Sequence, residues 1–500
     1  MCMDTTTAIT LDSLEFTNRF ARLDGPFHAQ VEPQPLSEVR LLHLNAQLAG
    51  QLGLDAGAAA RDPDFVAAMA GNRKIAGGAY VASVYAGHQF GTLVPQLGDG
   101  RANLIGEVLT PSGEQFELQL KGSGQTPFSR FADGRAVLRS SIREYLCSEA
   151  MHALGIPTTR ALSLVGASDP VQRERFERAA VVCRVAPSFV RFGHFEYFYF
   201  RNRHEEIRQL ADHVIEAHYP HLAGFPERYA AWLSEIVQRT ARLMAQWQSV
   251  GFCHGVMNTD NMSVLGLTID YGPYGFLDGF DAHHICNHSD EGGRYAYDRQ
   301  PVIGQWNCSK LLQATLPLLH EDPDQSVEIA NAILTRYPAD YMNQMMSLWR
   351  RKLGLVSEQE EDRELINRFL NLLDKGKSDF TRTFRALSNL RDGDDKPAMR
   401  DELLDQAAFD AWLPDYRARL AQDGQPEAER HQAMRAVNPK YVLRNHLAQA
   451  AIEKAEAGDA SEIDRLFRVL QRPYDEQPEF DAYAAEPPPE ARYISVSCSS

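Results

Sequence analysis

The sequence predicts an α+β protein in two lobes, a strand-rich one followed by a larger helical one. Three observations point there. Residues 76–203 carry short runs of alternating apolar and polar residues punctuated by turn residues. One helical stretch, "LRSSIREYLCSEAMHALG", interrupts them. From residue 204 to 475 the apolar residues recur mainly at helical spacing.

Taken in order, residues 1–75 read as a mixed N-terminal extension with a helical patch at "SEVRLLHLNAQLAGQLGL". "ANLIGEVL" and "QFELQLKG" read as strands joined by the turn "TPSGE". In the second, Phe116, Leu118 and Leu120 share one face and Glu117, Gln119 and Lys121 the other, because strand side chains alternate. Lys121 therefore projects from a polar face, where a ligand can lie. In the following helix Ile142, Tyr145, Leu146, Glu149 and Ala153 repeat at helical spacing, and Gly155 and Pro157 end it. "AAVVCRV" and "HFEYFYF" read as strands. "IRQLADHVIEAHY" and "YAAWLSEIVQRTARLMAQWQSVGF" read as helices, and more helices follow a segment of short strands and loops. Residues 476–500 form a Pro-rich acidic tail, expected to be extended or flexible, ending in the cysteine motif "SVSCSS".

Composition narrows the function. The chain has 500 residues, 44% hydrophobic and 24% charged, enough to bury a sizeable core. Its formal net charge of -16 argues against nucleic acid or an anionic membrane as partner, since both need a basic surface. A nucleotide site needs only a few placed cations. The N-terminus has no basic region followed by an apolar core, and no apolar run is long enough to span a bilayer. The seven cysteines are scattered and odd in number, which fits a reducing cytoplasm better than a disulfide scaffold.

The chemistry concentrates in "CHGVMNTDNMSVLGLTIDYGPYG". His254 and Asn261 keep the spacing of a protein-kinase catalytic loop, but Val256 occupies the position of its catalytic aspartate. Asp270-Tyr271-Gly272 matches the kinase metal-binding Asp-Phe-Gly, and the short connection from Asn261 suggests a tight hairpin. Mg²⁺ takes hard oxygen ligands from one or two side chains plus phosphate and water, which Asn261 and Asp270 can supply. Asp260 offers a carboxylate to accept a proton, or is simply an Asx-turn residue. Lys121 corresponds to the kinase strand lysine, with Glu144 its helix partner rather than Glu149. "LGDGRAN" stands where a kinase has its glycine-rich loop: Gly98 and Gly100 admit phosphate to the backbone and Arg101 adds a donor, unless this is a plain hairpin turn. Arg184 and Arg191 bring positive charge for a triphosphate, or form ordinary ion pairs. Asp133 and Gly134 mark a further tight turn. "DAHHICNH", holding His283, His284, Cys286 and His288, is too closely spaced for a standard zinc pattern.

Together "YAGHQFGTLVPQLGDGRA", "LQLKGSGQTPFSR", "ADGRAVLRSSIREYL", "CHGVMNTDNMS" and "DYGPYGFLD" resemble the selenoprotein O (SelO, YdiU) family of protein adenylyltransferases, over nearly the whole chain. The resemblance implies a protein-kinase-like bilobal fold with N- and C-terminal extensions. It implies a nucleotide bound in reverse, with AMP passing from ATP to Ser, Thr or Tyr hydroxyls of proteins and pyrophosphate leaving. UMP transfer from UTP is attributed to the same family, with Mg²⁺ or Mn²⁺ as cofactor. It places Gly98, Gly100, Arg101, Lys121, Asp133, Gly134, Arg184, Arg191 and Asp270 around the nucleotide and Glu144 against Lys121. It makes Asp260 the proton acceptor and Asn261 and Asp270 the metal ligands. Cys286 and Cys498 match a regulatory disulfide. The alternatives are a kinase-like phosphotransferase, against which Val256 counts, and a non-catalytic nucleotide-binding module.

Overall fold

The computed structural model describes residues 10–394 and 397–497. The strand-rich lobe is built on one antiparallel sheet. Its strands run in the order His28–Gln30, Val81–Gln89, Ala102–Leu109, Gln115–Lys121, Phe176–Ala186, Arg160–Gln172 and Arg40–Leu44. Thr92–Gly98 pairs with Val81–Gln89 off this path. Strand alternation divides the sheet between two cores. Leu118, Leu120, Val181, Cys183 and Val185 face a layer supplied by the N-terminal residues, including Leu48, Phe65 and Met69. Ala180, Val182 and Leu164 face the Leu138–Ala153 helix through Ile142, Tyr145 and Leu146.

The N-terminal segment is thus woven into the sheet. Within the expected helical patch, Arg40–Leu44 is an edge strand and only Ala46–Gln51 is helical, opened by the Asn45 side chain accepting from Leu48 N–H. "HFEYFYF" is also not a strand but lies in the helix Phe192–Tyr199. Its aromatic content favours a strand in isolation. Tertiary packing prevails, because Phe192, Phe195 and Phe198 bury one face in the core at helical spacing.

The helical lobe centres on the Arg228–Ser249 helix, whose Trp232, Ile236 and Met244 enter the shared core. No self-paired hairpin links Asn261 to Asp270. Instead Ser263 bridges to Arg191 and Thr268 to Thr158, so each limb is tied to the other lobe's chain. The paired strands are Phe252–Cys253 and Gly275–Phe276, outside that loop. The acidic tail forms short 3-10 turns, Pro478–Ala484 and Pro489–Tyr493, with Tyr483 bonded to Glu462. Among the described residues no helix is long and apolar enough to cross a membrane.

One core carboxyl gives a stability test. Glu117 is buried on the strand's polar face, and burial pushes it up to about 8, against the Phe189 N–H that donates to it at 2.7 Å. A carboxyl raised in the folded state stabilises below its unfolded value and loses that contribution as pH rises through its folded value. Wild type should therefore lose thermal stability between about pH 4.5 and pH 8 relative to Glu117→Gln, whose amide keeps the bond to Phe189 and stays neutral. Parallel Tm profiles for the two proteins would remove this assignment.

Candidate active site

A cleft of about 540 Å³ opens between the lobes. Among the residues lining it are Gly98, Gly100, Arg101, Lys121, Asp133, Gly134, Arg184, Arg191, Asp260, Asn261 and Asp270. Val256, at the position of the missing aspartate, lines it too.

On the sheet wall, Lys121 Nζ donates to Glu144 Oε2 at 2.5 Å, and Arg184 Nε lies 2.6 Å from Glu144 Oε1. Glu149 instead pairs with Arg160 at 2.8 Å. The face carrying Lys121 is polar yet buried: Gln119 is 1% exposed and accepts from Arg184 Nη1 at 3.1 Å. Burial, followed by the charge of Arg184, lowers the Lys121 amine to about 8. Glu144 keeps its charge: burial opposes ionisation, but Arg184 and Lys121 hold its carboxyl below the usual range. A buried pair of this kind directs the lysine, since breaking it strands a charge.

On the opposite wall, His254 is a structural tie. It stacks on Trp247 with ring centroids 5.2 Å apart, and its Nε2 meets the Ile269 carbonyl at 2.8 Å, fixing the residue before Asp270. Asp270 adopts a left-handed backbone with φ of 58°, a conformation that costs a non-glycine residue on the order of 1–3 kcal/mol. Its carboxylate is held by Arg184 Nη2 at 2.5 Å and by Arg191 Nη1. Burial would raise it, but Arg191, Arg184 and Lys121 keep it well below the ordinary range.

Asp260 sits in the 3-10 turn Thr259–Asn261. Gln89 donates to its Oδ2 at 3.1 Å, while Oδ1 is buried without a partner among the described residues. Burial pushes its carboxyl up to about 7, against Gln89 and Arg191. The close approach depends on Gly87: a Cβ there would lie 2.2 Å from Asp260 Oδ1. Thr259 anchors the same turn to the sheet, accepting from His88 N–H at 2.7 Å and bonding to Glu196.

The glycine loop is not a hairpin, because Thr92–Gly98 and Ala102–Leu109 do not pair with each other. Asp99 pins it, accepting from Ser83 N–H at 3.0 Å and Ser83 Oγ at 2.6 Å. Gly98 is required by packing, since a Cβ would fall 2.5 Å from the Phe128 ring. Asp133 forms a two-pronged pair with Arg173 at the rim, at 2.7 and 3.1 Å. Cys286 is buried and lies 3.4 Å from the Cys253 carbonyl, while Cys498 lies outside the described residues. In the histidine-rich segment, His283 pairs with Asp298 at 2.8 Å and His284 is half-buried.

Sequence reading alone did not single out Tyr85, Gln89, Asp99, Phe128, Arg173 or Asn258, which also line the cleft. Only Gln89 had a usable signal: it closes the run "YAGHQ", where a glycine interrupts an otherwise bulky strand and marks a close approach.

Two lobes, a strand lysine steered by a helix glutamate, and a His254 loop facing them place this chain in the protein-kinase-like class of nucleotide-binding folds, with the kinase base absent. Comparison with known proteins narrows the class. The family model described as "Protein adenylyltransferase SelO" matches residues 10–471. A "Protein nucleotidyltransferase YdiU" of Methylococcus capsulatus is 59% identical over 484 residues, 96% of this chain and 95% of the relative. Relatives of the same name from Thioalkalivibrio sulfidiphilus and Myxococcus xanthus are 55% and 53% identical, each over 98% of this chain and covering 99% and 100% of the relative. The chain belongs to the SelO family of protein adenylyltransferases, and it is an enzyme of the nucleotidyltransferase class.

Proposed function

We propose that this enzyme transfers AMP from ATP to Ser, Thr or Tyr hydroxyls of other proteins, with UTP as a second nucleotide donor. The observation that carries the reading is the position of Asp260. Its carboxylate has one oxygen without a partner among the described residues, adjoins Asn261, and lines the same cleft as Asp270, while Val256 stands at the kinase base.

The acceptor oxygen forms a bond to the α-phosphorus as the bridging bond to the β-phosphate breaks. Asp260 takes the hydroxyl proton, and pyrophosphate carries the electron pair away. Lys121, Arg184 and Arg191 supply positive charge where negative charge accumulates on the departing group. Arg101, at the mouth, adds a donor for phosphate, and the backbone at Gly98 and Gly100 can approach it closely. Asp133 and Gly134 border the nucleotide at the rim.

The donor set suits a hard divalent cation, Mg²⁺ or Mn²⁺. Asn261 Nδ2 is engaged by the Val256 carbonyl at 3.0 Å, leaving the amide oxygen as the ligand atom, and the Asp270 carboxylate lines the same cleft. Such an ion, when bound, neutralises phosphate charge and orients the α-phosphate.

ATP labelled at the α- or the γ-phosphate tests the reaction. Protein label from the α position alone is expected. Label from γ alone would make the chain a phosphotransferase, and none at all would make it a binding module.

Regulation by a Cys286–Cys498 disulfide is part of the same reading. It is supported by His288 N–H donating to the Val496 carbonyl at 2.9 Å, each two residues from one of the cysteines. Peptide mapping after oxidation should recover that crosslink, and two free thiols would remove the idea. The free thiols at Cys147, Cys183, Cys253, Cys286 and Cys308 support a reducing, cytoplasmic setting.

A further inference from the structure

At the mouth of the cleft one aromatic side chain takes no part in the phosphate chemistry and sits on a strained backbone. Strands Val81–Gln89 and Thr92–Gly98 are joined by two residues, Phe90 and Gly91, with Gln89 opposite Thr92. Both have left-handed backbones, with φ of 49° and 86°, as the central residues of a type I′ turn do. Such turns favour Asn or Gly at the first position, and a bulky residue there is strained. Tyr80 is the other Phe, Tyr or Trp with positive φ among the described residues. Its strain is offset by packing, since Tyr80 is 2% exposed and its hydroxyl accepts from Ile75 N–H at 2.7 Å. Phe90 is not compensated by burial: it is 41% exposed and lines the cleft.

The turn is nevertheless fixed against the catalytic loop. Phe90 N–H donates to Asn258 Oδ1 at 3.2 Å and to the Tyr295 hydroxyl at 2.9 Å. That hydroxyl in turn donates to Asn258 Oδ1 at 2.6 Å. The rings of Phe90 and Tyr295 meet with centroids 5.2 Å apart and planes tilted by 48°. Against the turn, Arg294 lies over Trp306, 4.6 Å from the ring centroid, and a Cβ on Gly91 would come within 3.3 Å of its Cζ. Tyr295 is buried, so the open surface of this aromatic pair belongs to Phe90.

That surface stands on the side from which the acceptor comes. Gln89, the residue before Phe90, donates to Asp260 Oδ2 at 3.1 Å, and Asn258 is two residues before Asp260. Attacking and leaving oxygens lie roughly in line across the phosphorus. The departing pyrophosphate belongs with Lys121, Arg184 and Arg191, while the entering hydroxyl has to come within hydrogen-bond reach of Asp260. The residues that flank this hydroxyl in its own chain are therefore delivered to the Asp260 side of the cleft, where Phe90 is exposed.

We propose that Phe90 is a specificity-determining residue that packs against a large apolar side chain, aromatic above all, next to the acceptor hydroxyl. The inference rests on the transfer reaction proposed above for the place of that hydroxyl, but its binding test does not.

Serine pentapeptides flanked on both sides by Phe or by Gly, carrying the same fluorescein label, are titrated against the full-length chain by anisotropy. The Phe peptide should bind more tightly. Phe90→Asn should weaken it about tenfold and leave the Gly peptide as it was. Because Asn suits a left-handed backbone, the same variant should unfold at the same or a higher temperature than wild type. Phe90→Tyr should keep the preference. The Kd for ATP, measured by calorimetry, should stay near wild type in both variants. If Phe90→Asn unfolds below wild type, Phe90→Gly, which the turn also accepts, carries the comparison. Equal binding of the two peptides to wild type, or a Phe preference that survives loss of the ring, overturns the proposal even where α-label is transferred. Weakened ATP binding with an unchanged peptide preference also overturns it, and would give Phe90 to the nucleobase. Phe90-dependent peptide binding without any α-label transfer would instead uphold the docking site and sink the transferase reading.

Discussion

Asp270→Ala should abolish nucleotide transfer, with a fall in kcat of at least about 100-fold, since losing even an outer partner of a metal ligand costs 10–100-fold. Two consequences are superimposed in that variant. It removes the carboxylate proposed to bind the divalent cation, and it removes the shared partner of Arg184 and Arg191. Stripping one member from a buried pair costs on the order of 3–5 kcal/mol. Here Glu144, 2.6 Å from Arg184 Nε, offsets much of that, whereas Arg191 keeps the weaker partners Asp99 at 3.9 Å, the Asp260 carbonyl at 2.9 Å and the Tyr85 ring at 5.0 Å. Asp270→Asn separates the two effects, because the amide preserves shape and one acceptor oxygen while losing the charge. α-Label transfer, Mn²⁺ binding and thermal unfolding are to be measured on both. A folded Asp270→Asn enzyme with wild-type turnover would eliminate Asp270 as a ligand.

Asp260→Asn should leave nucleotide binding intact and lower kcat by about 10²–10⁴-fold, the range for loss of a general base. Lys121, Arg184 and Arg191 are untouched, so ATP affinity by calorimetry should stay near wild type. The amide still fits against Gly87 and can still engage Gln89, so the 3-10 turn is preserved. Retention of wild-type transfer would show that the proton leaves by another route and that Asp260 is a turn residue. Loss of ATP binding together with activity would show that its main work is structural.

Both variants target residues legible in the sequence, and their legibility has a cause. The His254–Asn261–Asp270 spacing survives because ligands on one short loop must sit at set intervals along the chain. The Lys121 strand and the Leu138–Ala153 helix were readable because each carries its own period, two for a strand and near four for a helix. The choice of Glu144 over Glu149 followed from the same period, since Glu149 lies with the apolar stripe, and Glu149 in fact turns to Arg160.

What could not be read came from contacts between distant segments. The period of "HFEYFYF" suited a strand by composition, and only its docking against Trp232 and Phe27 makes it a helix. The strand Arg40–Leu44 exists because an edge of the sheet was available to pair with it, at Arg160–Gln172.

By itself, then, the sequence determined the two-lobed plan, the identity of the cations and carboxylates, and the absence of the kinase base at Val256. All of these are properties of neighbouring residues or of a local period. Tertiary structure alone decided that Asp270 faces two arginines, that Gln89 and Gly87 frame Asp260, and that Arg294 rests on Trp306. Those arrangements join residues 79 to 173 positions apart, or in the last case depend on a helix meeting a loop, and no local pattern encodes a meeting of that kind.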